Sequence, residues 1–220
     1  MPILNNTVDH LRSTVPGLRQ AHAYEIVAAY FGYKSNVARQ SDSAFPIDNI
    51  GDAAIMIPDV AGIKGRLARL NNLPTDMPTA MQIAQSLTDH IVDEGWFAGN
   101  VWLYDTIESY FAEVYVYDRE YQMLEDLSGL MAETNAQFDE VYIEEVAIDL
   151  SDTALSIVAT GEFNGTSDPD RMFAGDKLDI SVTATLDRVA GRTCFHEDDF
   201  HVGGAHNDYW YDPDPESASA

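Results

Sequence analysis

The chain has 220 residues, enough for one large domain or two small ones, and its 45% hydrophobic content is ordinary for a protein with a packed core. Twelve Lys+Arg face 37 Asp+Glu, a formal net charge of -25, which repels nucleic acid and anionic membrane surfaces and favours a basic partner. Cys194 is alone, which excludes an intrachain disulfide and a cysteine-built metal site.

The charge is uneven. Residues 1–70 carry seven cations and six carboxylates, a net of +1, whereas residues 71–220 carry five cations and thirty-one carboxylates, a net of -26. Scarce lysine (three, against nine arginines) and an excess of Asp over Glu also suit adaptation to high salt, where screening removes self-repulsion. That account expects a more uniform acidic surface. The start, MPILNNTVDHLRS, lacks the apolar run of a signal peptide, and no stretch reaches the roughly 20 apolar residues of a membrane span. The expectation is a soluble, cytoplasmic protein that does not engage a membrane.

Helical periodicity places Ile3, Leu4, Val8 and Leu11 on one side of a helix over residues 2–14, ended by Pro16-Gly17. A second helix is predicted over roughly 18–31, stopped by Gly32, and Ser35 caps a short third helix at Asn36–Arg39. PIDNIGDAAIMIP (46–58) reads as a turn and a short strand. A helix over 61–70 turns Lys64, Arg66 and Arg69 outward. Thr79 and Gln82 form a capping-box signature for a helix over 79–93.

Ile107, Tyr110, Phe111, Val114, Tyr117, Tyr121 and Leu124 recur at spacings of three and four, which predicts one helix of about twenty residues. Further on the period becomes two. Val141–Leu150, with a slip at Glu144-Glu145 marking a bulge, then Leu155–Phe163, Leu178–Leu186 and Val189–Phe195 read as strands. Residues 164–176 are expected to form a loop and 196–220 an acidic tail containing His and Trp, partly disordered. The predicted fold is α+β. It has an N-terminal helical module (1–45) and a body (46–195) of central helices and a C-terminal antiparallel sheet of three or four strands.

No phosphate-cradling, dinucleotide or nucleophile-elbow motif is present, and no pair of the many carboxylates stands out as acid and base. No catalytic residue, cofactor or metal is assigned. The segment 105–152 holds fourteen carboxylates and one cation, Arg119. Its candidate partner-binding residues are Glu108, Glu113, Asp118, Glu120, Glu125, Asp126, Asp139, Glu140, Glu144 and Glu145. Carboxylates on rigid helix and strand present negative charge at spacings a basic nucleic-acid-binding groove accepts. The expected partner is therefore a basic protein surface on a nucleic-acid-binding protein, with no direct binding of nucleic acid.

Two alternatives remain open. EIVAAYFGYKSNVAR (25–39) has the small residue, glycine and short second helix of a helix-turn-helix, with Lys34 and Arg39 facing phosphate. His196, His201 and His206, among Glu197, Asp198, Asp199 and Asp208, would serve a metal-dependent enzyme.

HAYEIVAAYFGYKSNVAR (22–39) and LSGLMAETNAQFDEVYIEEV (127–146) are similar to stretches of uncharacterised acidic accessory proteins of bacterial plasmids and integrative elements. The resemblance implies a mobile-element context and no catalytic residues. By charge alone the chain also resembles anti-restriction and anti-CRISPR DNA mimics, an analogy that transfers no residue roles.

Overall fold

The first five helices follow from where apolar residues fall at helical spacing. The computed structural model of the chain describes residues 2–134, 136–167 and 177–207. Helix α1 (Pro2–Thr14) buries Ile3, Leu4, Thr7, Val8 and Leu11, and the Thr7 hydroxyl donates to the Ile3 carbonyl at 2.8 Å. Helix α2 (Gln20–Tyr30) buries Ala23, Ile26, Val27, Ala28, Ala29 and Tyr30. Its three buried alanines let neighbouring helices approach closely. The Tyr30 hydroxyl, fully buried, is satisfied by Thr88 Oγ1 at 2.9 Å.

Helix α2 ends as its sequence dictates. Gly32 takes φ +79°, its N–H donates to Ala29 O (2.9 Å), and the Tyr33 N–H donates to Ala28 O (2.9 Å), the paired bonds of a Schellman motif. Helix α3 (Asn36–Ser41) follows, with Ser35 Oγ accepting from the Ala38 N–H. Helix α4 (Val60–Leu67) is capped by Asp59, and helix α5 (Ala80–Asp93) carries the Thr79–Gln82 capping box, both of whose bonds are made.

The sheet differs from the expected one. Seven strands form it: β1 (Ile55–Met56), β2 (Asn100–Val101), β3 (Ala136–Leu150), β4 (Ala154–Ser167), β5 (Lys177–Ala190), β6 (Cys194–Phe195) and β7 (Asp199–His206). The order is β2-β1-β6-β5-β4-β3, with β7 also pairing β5. The class is α+β, but the sheet is larger than three or four strands. It is also mixed, because β1 and β2 run parallel while β1 and β6 run antiparallel. Of the three two-residue strands, β1 and β6 lie within expected strands, and β2 is too short to show a period. The segment 199–206, expected in a tail, is β7. Of the expected 164–176 loop, residues through Ser167 continue β4 and 168–176 lie outside the described residues.

The expected twenty-residue helix from Ile107 is also corrected. Helix α6 (Ile107–Tyr110) gives way to a π-helical turn (Phe111–Tyr115), a 3-10 turn (Tyr117–Arg119), α7 (Glu120–Asp126) and α8 (Ser128–Ala132). The π turn lets Phe111 and Tyr115 stack at 4.4 Å between centroids and buries both, with Val116.

Contacts divide the chain into two units. The first comprises residues 1–110, 149–156 and 185–199; the second comprises 111–148, 157–184 and 200–220. The first is built on α1, α2, α4 and α5, with Met56, Ala190 and Cys194 in the same core. The second buries Phe111, Tyr115, Met123, Phe138, Phe163, Leu178 and Val182.

The α2 terminus yields a paired prediction. A Cβ at Gly32 would sit 2.9 Å from Arg192 Cβ at positive φ, whereas one at Gly65, inside α4, meets nothing within 4 Å. G32A is expected to lose roughly 2–3 kcal/mol from left-handed strain and overpacking. G65A is expected to gain about 0.5–1 kcal/mol from helix propensity. Urea unfolding of both variants checks the opposite signs.

Candidate functional site

The acidic residues singled out by charge pattern fall mostly in the second unit. Glu108 lies on α6 in the first unit; the other nine lie in the second. By sequence the second unit carries three cations and nineteen carboxylates, a net of -16, and the first nine cations and eighteen carboxylates, a net of -9. The charge is thus densest in the smaller unit.

Glu113 is on the π turn, Asp118 on the 3-10 turn, Glu120 at the start of α7 and Glu125 with Asp126 at its end. All but Glu120, which is half-buried, are exposed. Because the helix is interrupted, these residues do not form the single row that uniform helical spacing would give. Glu113 aside, none of the ten carboxylates has an ion-pair or hydrogen-bond partner among the described residues. Of the second unit's described cations, Arg119 lies 3.6 Å over the Tyr115 ring, and Lys177 is 2.8 Å from Glu162.

Strand β3 gives the other four residues their geometry. Phe138 and Val141 are buried three residues apart, and half-buried Ile143 and Val146 repeat that interval. Each interval holds one extra residue relative to a strict period of two, so Asp139-Glu140 and Glu144-Glu145 are each exposed as a pair. The expected slip at Glu144-Glu145 thus has a companion. Gly161 on β4 permits the close approach there, since a Cβ would lie 2.0 Å from Tyr142 O. Asp139 to Glu145 spans about 20 Å at roughly 3.3 Å per residue, so its four carboxylates stand as two pairs with a mean interval of about 6.6 Å. A nucleic acid carries one charge per about 3.4 Å per strand and 1.7 Å for the duplex, so this edge comes nearer to a single strand. Strand β3 ends the sheet order, and Tyr117 Oη reaches its backbone at Val141 O, 3.1 Å.

The helical pair at 22–39 places its cations differently from the expectation. Arg39 is buried, at 6% exposure, with Nε donating to Asn36 Oδ1 at 2.9 Å, so it does not face a phosphate; Lys34 is exposed. His201 and His206 are five apart on β7 and so point to opposite faces, and His206 Nε2 is 3.3 Å from Glu133. Among the described residues no three His, Cys, Asp or Glu side chains group as metal ligands, and Asp208 lies outside them. Among the described residues no helix is long and apolar enough to cross a membrane.

One constellation was not visible in the sequence. His10 on α1 and His90 on α5 stack face to face, centroids 4.1 Å apart and planes 5° from parallel, and His90 meets Trp96 edge-on. His10 Nε2 lies 3.0 Å from Ser86 Oγ. Eighty residues of separation leave no local signal for the pair.

Comparison of the chain with family models, with curated proteins and with solved structures finds no match.

Burial first, and then repulsion from His90, holds the His10 imidazole below its ordinary value of 6.5. The unfolded chain therefore takes up a proton that the folded one refuses. Stability from this group is complete above pH 6.5 and is lost as pH falls from there to the folded value. NMR titration of the histidine rings is expected to find His10 titrating low and moving up in H90Q. The H10Q variant should have a flatter stability profile between pH 7 and 5.

Proposed function

We propose that the protein is a non-enzymatic acidic binding protein whose second unit occupies a basic surface on a nucleic-acid-binding or defence protein, in place of nucleic acid. The observation that carries this reading is the set of nine carboxylates with no partner among the described residues, eight of them in a unit of net charge -16. Unpaired, exposed carboxylates keep their full field for an incoming cationic surface and steer its approach. The spacing along β3 favours mimicry of one charged strand over that of a whole duplex.

Charge reversal is the test. The protein is expected to retain a basic nucleic-acid-binding protein from a bacterial lysate at low salt, at one-to-one stoichiometry. Added DNA should displace that partner, and about 1 M salt, where screening acts within about 3 Å, should release it. The D139K/E140K/E144K/E145K variant, confirmed folded by circular dichroism, should lose at least tenfold in affinity for the partner. Retention unchanged by reversal, or by DNA, overturns the reading.

A further inference from the structure

The first unit contains a cleft of about 710 Å³ that the acidic surface does not involve. That volume lies within the range of small-molecule sites. Its walls carry three cations, Lys34, Arg188 and Arg192, and two carboxylates, Asp42 and Asp152, a net of +1 in a unit whose net charge is -9. Phe45 and Leu150 supply apolar surface, and Leu150 is 41% exposed, unusual for a leucine with nothing to cover.

The three cations differ in availability. The Arg188 side chain is 2% exposed and fully engaged: Nε donates to Gly191 O, Nη1 to Asp152 O at 2.6 Å, and Nη2 to Asp42 Oδ2, with the guanidinium 4.2 Å over the Phe45 ring. Asp42 in turn accepts from Tyr33 Oη at 3.0 Å. Burial alone would raise the Asp42 pKa, but the bonds from Arg188 and Tyr33 outweigh it and hold the carboxyl below its usual range. Arg188 and Asp42 are therefore one neutral, fixed wall.

Arg192 and Lys34 are different. The carboxylate nearest Arg192 is Asp152, 3.6 Å away with its side chain 97% exposed, and so exposed a pair is weak and exchangeable. Lys34 has no hydrogen-bond or ion-pair partner among the described residues. The backbone of Arg192 is nonetheless fixed, its N–H donating to Phe31 O at 3.0 Å beside the Gly32 turn. Two cations thus line the cleft together with apolar surface, Arg192 on a fixed backbone, and one negative charge would bring the lining to neutrality.

We infer that this cleft binds a small organic monoanion with an apolar body, its anionic group held by Lys34 and Arg192 and its body on Phe45 and Leu150. The site is independent of the acidic surface of the second unit.

The probe is 8-anilinonaphthalene-1-sulfonate, an apolar monoanion, titrated by fluorescence into the full chain at neutral pH. One saturable site is expected, displaced by 1-naphthoate, with 1-naphthalenemethanol (uncharged) and inorganic phosphate (no apolar body) each at least tenfold weaker. The K34Q/R192Q variant should bind at least tenfold more weakly, and K64Q/R69Q, on α4 and the turn after it and outside the cleft, should bind as the parent does. Lys34 is exposed, so K34E alone leaves the fold intact and still weakens binding if K34Q/R192Q fails to fold. Absence of a saturable site, equal displacement by the alcohol or by phosphate, or an unchanged K34E affinity would each overturn the inference.

Discussion

The buried guanidinium of Arg188 ties three segments of the first unit together. Arg188 sits near the end of β5 among residues that are otherwise apolar, and burying its charge uncompensated would cost several kcal/mol. Three bonds answer that cost, and each ties down a different segment: the Gly191 turn, the backbone between β3 and β4, and the loop after α3. Removing the Asp42 carboxylate would leave the charge buried without its counter-ion, which in comparable pairs costs about 3–5 kcal/mol. This network gives the cleft one fixed wall.

The second unit has the opposite problem. It buries few large side chains, and nineteen carboxylates repel one another across it. One account needs no partner: charges on an edge strand block edge-to-edge pairing, and β3 is a fifteen-residue strand at the end of the sheet order. That account covers Asp139, Glu140, Glu144 and Glu145. It does not cover Glu125 and Asp126, which stand in the last turn of α7 without partners among the described residues. The negative end of a helix dipole disfavours carboxylates there by about 0.3–1 kcal/mol each. Their placement works against stability, which edge protection does not explain and the proposed cationic partner would.

Legibility followed locality. The Ser35 cap, the Thr79–Gln82 box, the Gly32 stop and the alternation of β5 were readable because each is settled within a few residues. The break in the helix after Tyr110 was not, because π and α turns both bring residues three to five apart onto one side. The choice between them is made by burying Phe111, Tyr115 and Val116 together. Strand β7 was hidden by Gly203-Gly204, a poor strand sequence. A Cβ at Gly204 would lie 3.0 Å from Leu127 Cδ2, so packing of backbone on side chain recruits it. The acidic residues were found by counting alone, but their lack of partners needed coordinates. Arg188 falls on the inward phase of the β5 alternation, two residues after Leu186, but its charge masks that signal.

The opposite signs of the two candidate surfaces bear on what each excludes. Charge effects extend about 8 Å at physiological ionic strength. A monoanion seated between Lys34 and Arg192 feels chiefly the local balance of the cleft, which is positive. A polyanion longer than that distance also meets the rest of a unit with eighteen carboxylates, and beyond the cleft every added phosphate is repelled. On the proposals above, the acidic background would favour a small anion over nucleic acid in this cleft.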